Sequence, residues 1–355
     1  MQVRLLFIML LLYQLTCGQN NTRRVLFLGN SYTNANNLPQ LVADVAASVG
    51  DTVIFDQHTP GGWSLWGHHG SSVSLGKIAD GNWDFVVLQE QSQRPSREPS
   101  SVELMVYPPA RYLDSVINFH NPCAETMFYM TWGRKNGDQA LCAAYPNWPY
   151  VCTYEGMDSL LYLRYMHMAD TNNAVVSPVG QVWRYIRNQY PNIELYTADE
   201  SHPSLAGSYA AACSFYTAMF RKNPTAITFN SSLTAATANQ IKLAVEAVVL
   251  DSLSKWNIGK HDTLFGAGCA NHFSSGEITK PSLAIYPNPV QDKLSLLWPE
   301  GSSAIIQVLD ARGKLLWEEE VLSLEEGLNV SGLSSGLYWI RLKHQAASAV
   351  RFAKN

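Results

Sequence analysis

The chain has few charged residues and no surplus of basic ones. Asp, Glu, Lys and Arg make up 15% of its 355 residues, and the formal net charge is −4. Lys and Arg form no stripe along the sequence, so there is no electrostatic basis for binding nucleic acid or an anionic membrane surface. With 46% hydrophobic residues, the composition is that of a packed globular protein. The low net charge favours a substrate that is neutral or weakly charged.

The N-terminus lacks a hydrophobic run long enough to span a bilayer. Arg4 is followed by the short apolar run 5–12, which is too short for a membrane helix but typical of a secretory signal peptide. We expect cleavage near Gly18–Gln19, which removes residues 1–18, and no membrane span. The alternative is a lipoprotein signal with Cys17 lipidated, although residues 14–16 fit poorly the small residues that such processing prefers.

Cysteine is scarce, and the absence of any Cys-x-x-Cys pair argues against a structural zinc site. Removal of the signal peptide leaves an odd number of cysteines in an oxidising compartment, so we expect one free thiol. These cysteines are Cys123, Cys142, Cys152, Cys213 and Cys269. Cys142 and Cys152 bracket a loop with two prolines and no helical period. A local disulfide between them is therefore the first choice, and other pairings stay open.

Three histidines, His58, His68 and His69, lie close together in the sequence. Imidazole is a common metal ligand, but no carboxylate or cysteine stands at a recognisable ligand spacing beside them. We therefore predict no metal site and no cofactor, and we expect these histidines to line a cleft or pack on the surface.

From residue 24 onward, short apolar runs alternate with longer segments of helical periodicity. The predicted strands are Val25–Leu28, Thr52–Asp56, Phe85–Leu88, Thr126–Thr131 and Ala174–Val176. The predicted helices cover 38–49, 158–170, 180–189, 205–220 and 235–254. Such alternation is typical of an α/β fold, in which helices cover both faces of a parallel sheet.

A small polar motif, Gly29-Asn30-Ser31-Tyr32, stands where the first predicted strand ends. A serine hydroxyl becomes a nucleophile only beside a base and an oxyanion site, and strand-to-helix turns are where such sites assemble. Far downstream, Asp199-Glu200-Ser201-His202-Pro203 places an acid three residues before a histidine, where it can orient the imidazole. The prediction is Ser31 as nucleophile, His202 as base and Asp199 as orienting acid. Turn and capping roles are the structural alternatives.

In this order and at this separation, the two motifs resemble those of the SGNH hydrolases, the superfamily of GDSL-like esterases and lipases, over roughly residues 24–222. The resemblance implies a flavodoxin-like three-layer α/β/α sandwich with a parallel sheet. It also implies an oxyanion hole made by the Ser31 amide, a glycine after the second strand and an amide side chain after the third. Gly62 is preferred to Gly61 as that glycine, because Gly62-Trp63-Ser64 aligns with a Gly-x-Thr of the family.

The block after the third strand departs from the family pattern. Leu88 is followed by Gln89-Glu90-Gln91 instead of Gly-x-Asn-Asp, but a glutamine amide offers the same N–H donor as asparagine on a longer stem. Some sialate and xylan acetylesterases of the superfamily similarly carry glutamine here. Gln89 is therefore the predicted third donor, with Gln91 as the alternative. Trp63, Trp66, Trp132 and Trp148 fall in loops expected above the strand ends, where aromatic faces can stack on sugar rings or contact an acyl chain; burial in the core is the alternative. The predicted substrate contacts are Trp63, Gln91 and Trp132.

Beyond residue 255 the sequence becomes rich in Gly and Ser and then alternates apolar and polar residues. This pattern predicts a linker at 263–280 and a small all-β module at 281–355. The segments 286–289 (Tyr-Pro-Asn-Pro), 310–314 (Asp-Ala-Arg-Gly-Lys) and 334–338 (Ser-Ser-Gly-Leu-Tyr) resemble the motifs of the type A sorting domain of the type IX secretion system. A generic β-sandwich or carbohydrate-binding module is the alternative.

The sorting-domain resemblance implies export through the periplasm of a Gram-negative bacterium, by contact of residues 281–355 with the secretion machinery. The module would then be removed or used for surface attachment. The whole chain is thus predicted to comprise a signal peptide (1–18), an SGNH hydrolase domain (19–262), a linker (263–280) and the sorting domain (281–355).

The predicted function is that of a secreted serine esterase that needs no cofactor. Exported enzymes of this design often deacetylate carbohydrates, so O-acetyl groups on a carbohydrate are the preferred substrate. A lipid or simple ester is the second choice. Acyl transfer to an alcohol, and a surface binding protein with the same fold and no turnover, stay as alternatives.

Overall fold

The computed structural model describes residues 22–260, 283–286, 288–297, 304–311, 313–321, 327–343 and 349–355. The predicted signal peptide and linker, together with Cys17 and Cys269, lie outside these residues.

A five-stranded parallel sheet forms the centre of the N-terminal part. Its strands are β1 (Thr22–Leu28), β2 (Thr52–His58), β3 (Phe85–Leu88), β4 (Glu125–Tyr129) and β5 (Val175–Ser177). They lie in the order β2-β1-β3-β4-β5, and every pairing is parallel. This is the flavodoxin-like order, in which the direction of winding changes between β1 and β3. The predicted fold class is therefore confirmed.

The inner strands are buried on both faces, whereas the edge strand β2 is only partly buried. All residues of β3 and β4 are buried, as expected in the middle of a parallel sheet that helices cover. Each of the five predicted strands is present, some with shifted ends. β2 continues to His58, and β4 ends at Tyr129, so Met130 and Thr131 are outside the sheet.

Helices flank this sheet. They are α1 (Ser31–Asn34), α2 (Leu38–Ala47), α3 (Leu65–His69), α4 (Ser72–Ala79), α5 (Pro99–Met105), α6 (Tyr107–His120), α7 (Gln139–Ala144), α8 (Tyr154–Thr171), α9 (Val179–Gln189), α10 (Leu205–Phe220) and α11 (Ala235–Val248). The predicted helix at 235–254 ends at Val248, and a 3₁₀ segment follows from Leu250 to Trp256. None of the helices in the described residues is both long enough and apolar enough to cross a membrane.

The predicted helix at 38–49 corresponds to α2. Its apolar residues Leu38, Leu41, Val42, Val45 and Ala46 are buried, which gives the stripe that packs against a sheet. α3 to α7 have no counterpart among the predicted helices. α3, α4, α5 and α7 are at most eight residues long, whereas α6 has a buried apolar stripe that includes Ala110, Leu113 and Ile117 and that the prediction missed.

The C-terminal residues form antiparallel sheets. Their strands are β6 (Ala284–Tyr286), β7 (Lys293–Leu297), β8 (Ala304–Asp310), β9 (Leu315–Val321), β10 (Leu328–Asn329), β11 (Gly336–Leu342) and β12 (Val350–Lys354). One sheet has the order β10-β7-β6 and the other β12-β11-β8-β9. Leu294, Val308, Ile340 and Phe352 belong to a hydrophobic core of this region. The predicted all-β module is therefore confirmed.

The disulfide predicted between Cys142 and Cys152 is present. Cys123 is also disulfide-bonded, and Cys213 is a buried free thiol. The Cys142–Cys152 bond closes the loop between β4 and α8.

Candidate active site

Ser31 is the first residue of α1 and follows the carboxyl end of β1. β1 lies between β2 and β3, so the loops after those two strands flank the serine. The Asn30 side chain caps α1 by accepting a hydrogen bond from the Tyr32 amide at 3.0 Å. In doubly wound sheets, ligands bind at the carboxyl ends of the strands where the winding changes direction. The turn therefore presents Ser31 where this fold has its sites.

A chain of hydrogen bonds connects Ser31, His202 and Asp199. Oγ of Ser31 lies 2.8 Å from Nε2 of His202, and Nδ1 of His202 lies 2.5 Å from Oδ2 of Asp199. An ionised carboxylate can only accept hydrogen bonds. Nδ1 of His202 therefore carries the ring proton and donates a hydrogen bond to Asp199. The lone pair of Nε2 then faces the Ser31 hydroxyl. The three residues predicted as a triad thus lie in an arrangement that can remove a proton from a serine.

Further hydrogen bonds keep Asp199 ionised. Burial by itself raises the pKa of this carboxyl group, but hydrogen bonds from His202, Thr197 and Ser201 outweigh it and hold the pKa well below its usual range. The amides of Ser201 and His202 donate to Oδ1 at 3.0 and 2.9 Å, and the Thr197 hydroxyl donates at 2.8 Å. Glu200 adopts a φ of 60°, a left-handed conformation that turns the chain sharply between the acid and the histidine.

Stacked aromatic rings connect the turn that carries the serine to the turn that carries the histidine. Tyr32 stacks on Trp132 with ring centroids 4.9 Å apart, and Trp132 stacks on Trp183 at 3.7 Å. The Tyr32 hydroxyl lies 2.6 Å from Oγ of Ser201, and Nε1 of Trp132 donates to the Ser201 carbonyl at 3.1 Å. Because Ser201 precedes His202, these contacts fix the backbone that carries the imidazole. We call Tyr32, Trp132 and Trp183 the aromatic brace.

The position of Trp132 corrects one of the predicted substrate contacts. Its side chain is 0% exposed, so no substrate reaches it in this structure. Burial is favourable because the indole packs between two rings and its single polar atom has a carbonyl acceptor. Trp63, by contrast, is half-buried and meets the His58 ring edge-on at 5.1 Å. Trp63 therefore remains a predicted substrate contact.

Gly62 lies in the loop after β2, beside the serine turn. Its φ is +73°, a conformation that favours glycine. The neighbouring Trp63 carbonyl accepts a hydrogen bond from Nδ2 of Asn30 at 2.7 Å, which ties this loop to the serine turn. Ser31 is the first residue of α1, so its backbone amide has no hydrogen-bond acceptor within that helix. Within the described residues neither the Ser31 nor the Gly62 amide makes a hydrogen bond, so both are available to a developing oxyanion.

The side chain of Gln89 does not point to the oxyanion position, contrary to the prediction. Its Oε1 accepts from the Asn30 amide and from the Thr33 hydroxyl, each at 2.9 Å, and its Nε2 donates to the Glu90 carbonyl at 2.7 Å. The residue is 0% exposed. Gln89 therefore supports the serine turn from inside the protein. Gly29 permits this contact, because a Cβ at that position would lie 2.7 Å from Gln89 Oε1.

Gln91, the alternative third donor, is half-buried and partly engaged in its own loop. Its Oε1 accepts from the amides of Gln93 and Arg94 at 2.9 and 3.2 Å, and its Nε2 donates to Gln93 Oε1 at 3.0 Å. A primary amide has two N–H bonds. The second N–H of Gln91 has no acceptor in the part of the chain that the structure describes, so Gln91 remains the side chain predicted as third donor and as a substrate contact.

Glu90 is buried between these glutamines and links the loops after β2 and β3. Its Oε1 accepts from the Gln91 amide at 2.6 Å and from the Leu65 amide at 3.3 Å, while Oε2 is buried without a hydrogen-bond partner among the described residues. Burial raises the pKa of Glu90 to about 8, against the opposing effects of the Gln91 amide, Arg94 and the Leu65 amide. At neutral pH this carboxyl group is therefore mostly protonated.

Two histidines form a hydrogen-bond chain behind the serine turn. Nε2 of His68 lies 2.8 Å from the Gly29 carbonyl, and its Nδ1 lies 2.8 Å from Oγ of Ser74. Burial lowers the pKa of His68 to about 4, so the ring is neutral and Nε2 donates to Gly29. Nδ1 then accepts from Ser74, whose oxygen in turn accepts from Nδ1 of His58 at 2.8 Å. His68 thus holds the carbonyl of a residue in the serine turn.

The third histidine, His69, lies apart from this chain and packs its ring on Tyr112 at 4.4 Å. The described residues contain no group of three or more His, Cys, Asp or Glu side chains that could hold a metal ion.

Three residues that support the site, Tyr32, Ser201 and His68, were not predicted from the sequence. Tyr32 and Ser201 are each next to a predicted triad residue in the sequence, and this position could have indicated a supporting role. His68 carried no such signal, because its contact with Gly29 depends on how β1 and the loop after β2 pack.

Comparison with known proteins gives a family for the C-terminal part and a fold for the N-terminal part. Residues 284–353 match the family described as secretion system C-terminal sorting domain. No curated protein matches the chain.

Several solved structures are similar to the N-terminal part. A DUF4886 family protein from Bacteroides uniformis has a TM-score of 0.55 and 17% identity, over 65% of this chain and 95% of that protein. A putative SGNH hydrolase from Slackia heliotrinireducens has a TM-score of 0.45 and 27% identity, over 55% of this chain and 98% of that one. An acetyl xylan esterase has a TM-score of 0.40 and 16% identity, over 55% and 98%. The chain therefore has an α/β domain with the fold of the DUF4886 family protein, followed by residues 284–353 that match a secretion system C-terminal sorting domain.

Proposed function

We propose that the chain is an exported carboxylic ester hydrolase with Ser31 as nucleophile, His202 as general base and Asp199 as the residue that orients the base. The hydrogen-bond chain from Ser31 Oγ through His202 to Asp199, with distances of 2.8 and 2.5 Å, carries this proposal. Its place after β1, at the point where the winding of the sheet reverses, is where such folds bind their ligands.

In the proposed reaction, Ser31 Oγ attacks the carbonyl carbon of the ester while Nε2 of His202 takes the hydroxyl proton. Asp199 stabilises the imidazolium that forms. The carbonyl oxygen becomes an oxyanion and accepts hydrogen bonds from the amides of Ser31 and Gly62. When this intermediate collapses, the alcohol leaves with the proton from Nε2. Water, deprotonated by the same imidazole, then releases the acid and restores Ser31.

The preferred substrate in this proposal is an O-acetyl group on a carbohydrate. The side chains of His202 and Asp199 are 41% and 48% exposed, so the triad lies at an open surface. A bulky polymer can present a short acyl group to such a surface, whereas a long acyl chain needs an enclosed apolar pocket. Trp63 and Gln91 are the proposed substrate contacts beside the triad.

The sorting domain indicates export by the type IX secretion system. We place the mature protein outside the cell or attached to its surface, after residues 281–355 have contacted the secretion machinery. The substrate is then an extracellular or surface ester.

Hydrolysis of p-nitrophenyl acetate tests the proposed chemistry. We expect Ser31→Ala to lower kcat by on the order of 10⁴-fold or more, because the nucleophile of such a triad cannot be replaced. The control is Ser100→Ala, which removes an exposed serine hydroxyl from α5 and should leave the rate unchanged. Equal rates in wild type and Ser31→Ala would refute the esterase proposal.

A comparison of substrates tests the proposed acyl group. We expect faster release of acetate from acetylated xylan and p-nitrophenyl acetate than of longer acids from p-nitrophenyl octanoate and a triglyceride. A preference for the octanoate would contradict a short-acyl substrate and favour a lipase.

A further inference from the structure

The segment between β4 and α8 presents aromatic rings at the surface. Tyr145 and Tyr150 are 38% and 54% exposed, and the half-buried Trp148 packs its ring against that of Tyr150 at 4.7 Å. We call these three residues the aromatic platform. Large aromatic side chains are mostly buried, so three partly exposed rings within six residues of one loop indicate a binding surface.

A covalent bond and several hydrogen bonds hold the platform in place. The Cys142–Cys152 disulfide closes the loop that carries it, and Nε1 of Trp148 donates to a backbone carbonyl in the loop after β3 at 2.9 Å. The Arg97 guanidinium lies 4.7 Å from the centre of the Tyr145 ring and donates to its hydroxyl. Rings that are fixed in advance lose little conformational entropy when a ligand arrives. The platform is therefore pre-organised for binding.

The platform lies on the same edge of the sheet as Ser31. It follows β4, as Ser31 follows β1, and the carboxyl ends of parallel strands share one edge. Backbone hydrogen bonds also connect its loop to the turn that carries Asp199 and His202: the Lys135 amide donates to the Glu200 carbonyl at 3.0 Å, and the Asp138 amide donates to the Val151 carbonyl at 2.7 Å. Residues 135 and 138 are three positions apart, so their Cα atoms lie at most ~11 Å from each other. A short stretch of an extended polymer therefore reaches from the platform to the triad.

The chemistry of the platform fits a sugar chain. The C–H face of a pyranose ring packs on the face of Tyr or Trp, and sugar hydroxyls find partners in the tyrosine hydroxyls, the exposed Asn147 amide and Arg97. Residues 142–152 include no Asp or Glu, so neutral and acidic glycans are both admitted. An acyl chain instead requires an enclosed apolar groove, which these partly exposed rings do not provide.

We infer that the aromatic platform binds the polysaccharide that carries the ester, at sugar units next to the one whose acyl group reaches Ser31. The link to the ester rests on the proposed function, whereas the binding of polysaccharide rests on the platform alone. The platform therefore favours polymeric over small acetylated substrates.

Binding and catalysis are measured separately to test this inference. Affinity electrophoresis of full-length Ser31→Ala protein through acetylated xylan, glucomannan and pectin gives binding without turnover. We expect retardation by at least one of these polysaccharides, and ~10-fold weaker binding when Tyr150→Ala is added, since a stacked ring is lost. Tyr150→Phe keeps the ring and should retain most of the affinity.

The matched control is Trp339→Ala in the C-terminal sheet, because it removes an aromatic ring that is 36% exposed and lies outside the platform. It should bind like the parent protein. In the active enzyme, Tyr150→Ala should raise KM for the retarding polysaccharide about tenfold, whereas Trp339→Ala should leave it at the wild-type value.

The outcomes separate this inference from the proposed function. Lack of retardation by all three polysaccharides, or equal retardation with and without Tyr150→Ala, overturns the platform inference even if the protein hydrolyses esters. Retardation that depends on Tyr150, in a wild-type protein that hydrolyses no ester, upholds the platform as a glycan-binding site and overturns the esterase proposal.

Discussion

At the scale of single residues, Asp199 determines which nitrogen of His202 carries a proton. Its Oδ2 accepts from Nδ1 at 2.5 Å, and its Oδ1 is held by backbone amides. Asn has nearly the same shape but can present an N–H group to Nδ1, which favours the tautomer that cannot accept the Ser31 proton.

We therefore expect Asp199→Asn to lower kcat for p-nitrophenyl acetate by ~10³–10⁴-fold, with a native fold by circular dichroism. Glu200→Gln, a change of the next residue in the same turn, is the control and should keep most of the activity. Wild-type kcat in Asp199→Asn would show that this carboxylate does not orient the base.

The raised pKa of Glu90 predicts how the free energy of unfolding of the protein changes with pH. Its pKa rises from 4.5 to about 8 on folding, so between these pH values the folded protein holds a proton that the unfolded chain has released. The contribution of Glu90 to the free energy of unfolding is fully present below pH 4.5 and is lost as the pH rises towards 8. The free energy of unfolding decreases by at most about 1.4 kcal/mol per pH unit in this range. Glu90→Gln resembles the protonated acid and does not titrate.

Urea unfolding at pH 5, 6, 7 and 8 measures this difference. Relative to wild type, the free energy of unfolding of Glu90→Gln should increase steadily with pH. Glu103→Gln, at an exposed position on α5, should show no such trend. A difference between Glu90→Gln and wild type that is the same at every pH would contradict the buried, protonated state.

At the scale of elements, the aromatic brace holds together two turns that are far apart in the sequence, the one after β1 and the one before α10. Tyr32 comes from the first turn and contacts Ser201 in the second. Trp132 follows β4 and supports both. The brace therefore keeps Ser31 and His202 at hydrogen-bond distance.

We expect Trp132→Ala to lower the free energy of unfolding by ~3–5 kcal/mol, because it leaves a cavity in the core, and to lower kcat as the histidine turn loosens. Tyr32→Phe removes only the hydroxyl and should cost ~1 kcal/mol. Urea unfolding and ester hydrolysis measure both variants. A Trp132→Ala protein of wild-type stability with a raised KM would instead restore Trp132 as a substrate contact.

Elements were easier to predict from sequence than side-chain directions. β3 has the predicted bounds, Phe85–Leu88, because a short run of apolar residues between polar neighbours is a local signal. Gln89 shows the limit. The sequence places the amide side chain of Gln89 at the carboxyl end of β3. Its direction, however, is set by hydrogen bonds from the Asn30 amide and the Thr33 hydroxyl, which belong to another part of the chain.

Trp132 shows the same limit for burial. Its position after a predicted strand suggested an exposed loop, yet Tyr32 and Trp183 supply stacking partners from distant segments. The proximity of Ser31, His202 and Asp199 was accessible to prediction because Asp199 and His202 lie in one short turn, and because Ser31 directly follows a strand.

At the scale of the whole molecule, the residues that the structure describes form two hydrophobic cores. The core of the α/β part contains the five-stranded sheet, and Leu294, Ile340 and Phe352 belong to a second core in the C-terminal sheets. The candidate active site draws its residues from the first part, whereas the family match lies in the second.

Deletion of residues 281–355 should therefore block export in the producing bacterium and leave the ester-hydrolysing activity intact. Cell fractionation with immunoblotting measures export, and hydrolysis of p-nitrophenyl acetate in lysates measures activity. Full-length Ser31→Ala is the control and should be exported normally. Export of the truncated chain at the full-length level would show that the sorting domain is dispensable.

The proposed nucleophilic role of Ser31 is tested most directly by identifying the residue that bonds to a p-nitrophenyl phosphonate ester. In this reaction an activated serine oxygen forms a bond to phosphorus and p-nitrophenolate leaves. Peptide mass spectrometry should find the adduct on Ser31, and His202→Ala should slow its formation by on the order of 10³-fold or more. An adduct on another residue, or equal labelling in His202→Ala, would contradict the account.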